Sequence, residues 1–92
     1  MPFSALLEAG YLKTGDFLYS KNLKKKAQIC ADGSLKADNL RGSIHQLGAK
    51  LQNRKACNGW DFWFYYEKKI LRSIDELRER YRQEFYNEKI EN

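Results

Sequence analysis

The sequence predicts an α+β fold, a small antiparallel sheet packed with about three helices in a single domain spanning residues 1–92. Three observations carry that expectation. Ser43 with Gln46 and Ser73 with Glu76 each form a capping-box signature that opens an apolar stripe at helical spacing. Asp32-Gly33 separates two short runs and is a two-residue hairpin signal. Asp61 to Tyr66 is a run of aromatics that favour strands.

The elements follow in order. Pro2 to Ala9 predicts a short helix, with Phe3, Leu6 and Leu7 on one face and Gly10 placed to end it. Lys13 to Asp16 is a turn, and Phe17 to Tyr19 a short strand. Ser20 to Lys26 is polar and basic, a hairpin tip or the start of the next strand. Ala27 to Ala31 alternates as a half-buried strand does, and Ser34 to Lys36 returns beside it. At Ser43 the period changes to helical, with Ile44, Leu47 and Leu51 inward and His45, Gln46, Lys50 and Arg54 off the stripe. Gly48 costs this helix about 1 kcal/mol against Ala, which suggests a packing or ligand-approach reason for it. Cys57-Asn58-Gly59 breaks the helix ahead of the aromatic strand. In the last helix Ile74, Leu77, Tyr81 and Phe85 face the sheet, Arg78 and Arg82 share a face, and Asn87 to Asn92 form a polar, frayed tail.

Size and charge narrow the function. Ninety-two residues, 42% hydrophobic and 32% charged, make one small domain with a modest core. The formal net charge of +5 favours a polyanionic partner. Lys13 to Lys55 holds ten basic residues against three acidic ones, whereas Ala56 onward holds seven against eight. The positive charge is therefore concentrated mid-chain, where its bland reading is solvated strand and loop lysines. No apolar run reaches membrane-spanning length, and no signal-peptide core follows a basic start. Cys30 and Cys57 make no disulfide framework, and with one His they fall short of a zinc site. Reduced thiols of this kind fit a cytoplasmic protein that needs no metal. No nucleophile–base motif or phosphate-cradling glycine loop is present, so the reading is of a binding domain with no catalytic residue.

Each candidate has a plain alternative. Lys24, Lys25 and Lys26, with Lys21, form a basic hairpin suited to neutralising phosphates. His45 lies in the first turn of its helix, where free N–H groups and a partial positive charge attract anions, yet on sequence alone a solvated or core-edge histidine is the better explanation. Ser43 is first of all a cap, a role compatible with phosphate binding. Trp63 between two phenylalanines reads as core. Trp60, after the Asn58-Gly59 turn, reads as the surface wedge that stacks on bases or packs on sugar.

The segments LLEAGYLKTGDFL, ADGSL, GSIHQLGAK, ACNGWDFW and IDELR, in that order and spacing, resemble the C-terminal RAMA-like domain of bacterial adenine-specific DNA methyltransferases of the cell-cycle-regulated and HinfI-like group. The resemblance covers nearly the whole chain. It implies an accessory domain that grips double-stranded DNA for a separate catalytic domain, which methylates adenine with S-adenosylmethionine. It also implies that Ser43, His45, Asn58, Trp60 and Arg78 contact DNA or support the contact. Lys24, Lys25, Lys26, Arg41 and Lys50 complete the expected DNA-facing set. The family's catalytic D-P-P-Y type motif and cofactor loop are absent from these residues. Two other readings stand beside this one: a protein-interaction or dimerisation module built on the aromatic strand and last helix, and a single-stranded nucleic-acid binder.

Overall fold

The computed structural model describes residues 1–86; the expected polar tail lies outside the described residues. Among the described residues six strands form one antiparallel sheet. They are β1 Phe17–Ser20, β2 Lys26–Ile29, β3 Leu35–Ala37, β4 Leu40–Gly42, β5 Trp63–Glu67 and β6 Ile70–Ser73, in the order β4-β3-β2-β1-β5-β6. Among the described residues four helices accompany it: α1 Ser4–Glu8, α2 Ile44–Leu51, α3 Gly59–Phe62 and α4 Ile74–Phe85.

Strand parity decides which side the helices cover. Leu18, Ala27, Ile29, Leu35, Ala37, Trp63 and Tyr65 point inward and are buried. They pack against Phe3 and Leu6 of the α1 segment, Ile44 and Leu47 of α2, Trp60 of α3, and Ile74 and Leu77 of α4. Burying side chains of this size stabilises the fold by roughly 1.5–3 kcal/mol each. Leu51 and Tyr81 are half-buried against this core, while Phe85 at the end of α4 stays 46% exposed.

Several expectations hold in detail. Gly10 ends the first helix at φ +82°, and Gly33 turns the β2–β3 hairpin at φ +84°. The stretch Ser20 to Lys26 resolves into both alternatives: residues 21–25 form the β1–β2 loop, and Lys26 begins β2. Asn22 braces that loop, its Oδ1 accepting from the Ser20 hydroxyl and the Lys24 N–H, while Ser20 Oγ accepts the Lys25 N–H.

Other expectations change. The hairpins that add β4 and β6 were not expected, nor was α3. Asp61 and Phe62 belong to α3 rather than to the aromatic strand, which starts at Trp63. Ser73 does cap α4, accepting the Asp75 N–H, but Glu76 does not close a capping box. Its carboxylate pairs with Arg72 at 3.3 Å instead, because β6 brings that guanidinium within reach.

Candidate functional site

The start of α2 is built as expected. Ser43 Oγ accepts the Gln46 N–H, and Gln46 Oε1 accepts the Ser43 N–H, both at 3.0 Å. The first-turn N–H groups of Ile44 and His45 precede any intrahelical acceptor. The Ser43 hydroxyl proton is also free to donate, since its oxygen is used here only as an acceptor.

α3 then locks this end in place. Asn58 caps α3, accepting the Trp60 N–H and donating to Asp61. Gly59, the first residue of α3, lies so close to α2 that a Cβ there would meet the Ile44 carbonyl carbon at 2.5 Å. That approach lets the Gly59 N–H donate to His45 Nδ1 at 2.9 Å. An accepting Nδ1 bears no proton, so the ring proton sits on Nε2, which the exposed His45 keeps as a donor. From the core side, Trp63 Nε1 donates to the Ile44 carbonyl at 2.9 Å. Two elements thus fix the backbone that carries His45.

Trp60 corrects the sequence reading. It is 5% exposed and is not a projecting wedge. The Asn58 cap turns the chain into a helix, which tips the indole toward Phe3, with ring centroids 6.1 Å apart. The Arg78 guanidinium lies over the Trp60 ring at 4.7 Å and pairs with Asp75. Ser73 Oγ donates to the Trp60 carbonyl at 3.3 Å. The indole of α3 is therefore a platform between Phe3, at the start of α1, and Arg78 of α4.

An open cleft of about 280 Å³ lies at this junction, lined by Phe3, Asp32, Gly33, Ser43, His45 and Trp60 among others. Asp32 is its acidic element. Hydrogen bonds from the Ser34 hydroxyl and N–H, and then the Arg41 guanidinium at 3.2 Å, hold its carboxyl down to about 2. Arg41 is therefore partly committed to Asp32. Lys50 reaches back to the Arg41 carbonyl at 3.3 Å.

The structure thus brings together Ser43, His45, Asn58, Trp60 and Arg78, with Arg41 and Lys50 close by. It does not bring Lys24, Lys25 and Lys26 to the cleft. These exposed lysines enter β2 at one end, whereas the Asp32-Gly33 turn leaves it at the other. The expected DNA-facing residues therefore fall into two separate regions, the cleft and the lysine hairpin. Two parts of the cleft were missed, Phe3 and the Asp32-Gly33 turn. Only the hairpin signal at Asp32-Gly33 gave a hint of either, and it says nothing about what the turn lies against.

Comparison with known proteins places this geometry in a family. The Type II methyltransferase M.HinfI of Haemophilus influenzae is 32% identical over 81 residues, which cover 88% of this chain and 23% of that protein. The chain therefore spans about a quarter of that relative's length. The family model described as Restriction Enzyme Adenine Methylase Associated, RAMA, matches residues 1–87, and the chain belongs to that family.

Proposed function

We propose that the chain grips duplex DNA as the accessory domain of a site-specific adenine DNA methyltransferase. Chemistry and S-adenosylmethionine belong, in this reading, to a separate catalytic domain, in the same polypeptide or another. The family's association with adenine methylases and the likeness to a Type II methyltransferase support it.

One observation carries the reading at the residue level. His45 Nδ1 is occupied by the Gly59 N–H, which leaves Nε2–H to donate at the cleft that Ser43 and the start of α2 also line. Several donors converging on one helix start suit a phosphate oxygen. Arg78 and Asn58 then act from behind, Arg78 by bracing Trp60 and Asn58 by capping α3. The lysine hairpin adds phosphate contacts further along the duplex. Most of these contacts position the protein and do not read sequence.

Titration with duplex DNA at two salt concentrations tests the proposal. Engagement of about four to six phosphates predicts a log–log salt slope of roughly −4 to −5. His45→Ala removes a hydrogen bond to a charged acceptor and is expected to weaken binding roughly 10-fold or more. A slope near zero, together with unchanged affinity in His45→Ala, would overturn it.

A further inference from the structure

The helices cover one face of the sheet and leave the other bare. On β1, Leu18 and Ser20 point inward while Phe17 and Tyr19 point outward. The register carries that parity across the sheet. Phe17 lies opposite Gln28, Gln28 opposite Lys36, and Lys36 opposite Arg41. Tyr19 lies between Lys26 on one side and Phe64 on the other. Tyr66 shares the outward side with Phe64, and its ring meets Tyr19 edge-on with centroids 5.2 Å apart.

The bare face therefore carries Phe17, Tyr19, Phe64 and Tyr66 along β1 and β5, with Lys26 on β2 and Lys36 on β3, while Arg41 on β4 is drawn to Asp32. No Asp or Glu occupies an outward position on these strands. Phe17 is 41% and Tyr66 48% exposed, and Lys26 Nζ sits 4.6 Å above the Phe17 ring. The β1–β5 ladder is short, pairing Tyr19 with Phe64 and Ser20 with Trp63. Beyond it lies a groove of about 310 Å³ lined by Phe17, Tyr19, Tyr65 and Tyr66, at the small end of ligand sites. The one carboxylate beside this groove, Asp16, accepts the Lys13 N–H at 2.9 Å.

Aromatic side chains on an open sheet need flat π-faces to stack on, and a duplex keeps those faces buried between its own base pairs. Cations beside the rings need an anionic backbone running past them. We propose that this bare face, centred on the β1–β5 groove, stacks the bases of an unpaired DNA strand while Lys26 and Lys36 hold its phosphates. The choice of DNA over RNA rests on the duplex-binding reading above. The site is separate from the α2 cleft, which lies on the helix-covered side.

The test measures binding of the full chain to a labelled oligo-dT strand, an oligo-rU strand and a duplex. Phe17→Ala with Tyr66→Ala is expected to weaken oligo-dT binding roughly 5- to 150-fold, from the loss of base stacking. Lys36→Glu, at an exposed position, is expected to weaken it as well. Duplex affinity should stay unchanged in both. If the aromatic variant unfolds, Lys36→Glu alone decides. Undetectable oligo-dT binding by the wild type, or unchanged binding in the variants, overturns the proposal. So does tighter binding of oligo-rU, or a wild-type dimer in sedimentation that the same substitutions dissociate. Loss of duplex binding in His45→Ala bears only on the cleft, so failure of either reading is distinguishable from failure of the other.

Discussion

Gly59→Ala tests the contact that positions His45. A Cβ at Gly59 would lie 2.5 Å from the Ile44 carbonyl carbon, 2.6 Å from its oxygen and 2.7 Å from its Cγ1. Two of these three atoms are backbone within a capped helix, so no side-chain rotation relieves the overlap. Restoring ordinary carbon contacts of about 3.5–4.0 Å requires α3 to withdraw by about 1 Å. Withdrawal stretches the 2.9 Å Gly59–His45 hydrogen bond out of range. Overpacking costs about 1–3 kcal/mol and the lost bond about 0.5–1.5 kcal/mol, together about 2–4 kcal/mol. For a domain this size that lowers Tm by roughly 10–30 °C. Urea and thermal melts measure it, with Gly48→Ala as the comparison. A Cβ at Gly48 meets the Cys57 thiol sulfur at 2.8 Å and the Phe62 ring at 3.3 Å, side-chain atoms that yield more readily than backbone, and helix propensity returns about 1 kcal/mol. Gly48→Ala is therefore expected to change stability by less than about 1 kcal/mol. In a double-mutant cycle, His45→Ala should cost duplex affinity in the wild type and little more in Gly59→Ala. Wild-type stability of Gly59→Ala, or full additivity of the two substitutions in binding, would refute the clamp.

Three further outcomes follow from the same geometry. Trp60→Ala should cost about 3–5 kcal/mol in denaturant melts, as removal of a buried indole does, whereas a surface stacking residue would leave stability unchanged. Lys25→Ala should weaken duplex binding alike for all sequences and reduce the salt slope by about 1; relaxed preference at a single base position would contradict a phosphate-only role. Burial of its hydroxyl, with the Glu84 carboxylate next in importance, pushes Tyr11 from 10.0 up to about 12. A raised tyrosine favours the neutral form in the fold, so its contribution is fully present below pH 10 and is lost as pH rises toward 12. Alkaline melts should show this loss, and Tyr11→Phe should remove it.

How much of the fold was legible depended on turn chemistry. The β2–β3 hairpin was visible because Asp32-Gly33 supplies the residue types that left-handed turn positions favour. The β5–β6 hairpin was not, because its turn is Lys68-Lys69, with φ of 50° and 69°. Non-glycine residues pay for such angles with strain, and no propensity rule flags two lysines there. Pairing across the ladder from Phe64–Ser73 to Glu67–Ile70 holds them in place, a tertiary effect absent from local sequence. The β3–β4 hairpin turns at Asp38, φ 54°, and its strands are only three residues long, too short to show a period.

The site was legible in its parts and misread at its centre, and the reason alters how the cleft works. Spacing of three between Trp60 and Trp63 implies opposite faces only if both lie in a strand. Asn58 instead starts a helix, with Asp61 in its first turn, and both indoles turn inward. A projecting wedge would contact DNA directly and could be removed with little effect on His45. The buried indole links the two sides of the cleft: Arg78 stacks on it from α4, and the backbone N–H of Trp60 is capped by Asn58, one residue before the Gly59 clamp on His45. Substitution at Trp60, Asn58 or Arg78 therefore reaches the helix start through packing. Loss of binding in these variants should accompany loss of stability, whereas loss in His45→Ala should occur with Trp60 still buried.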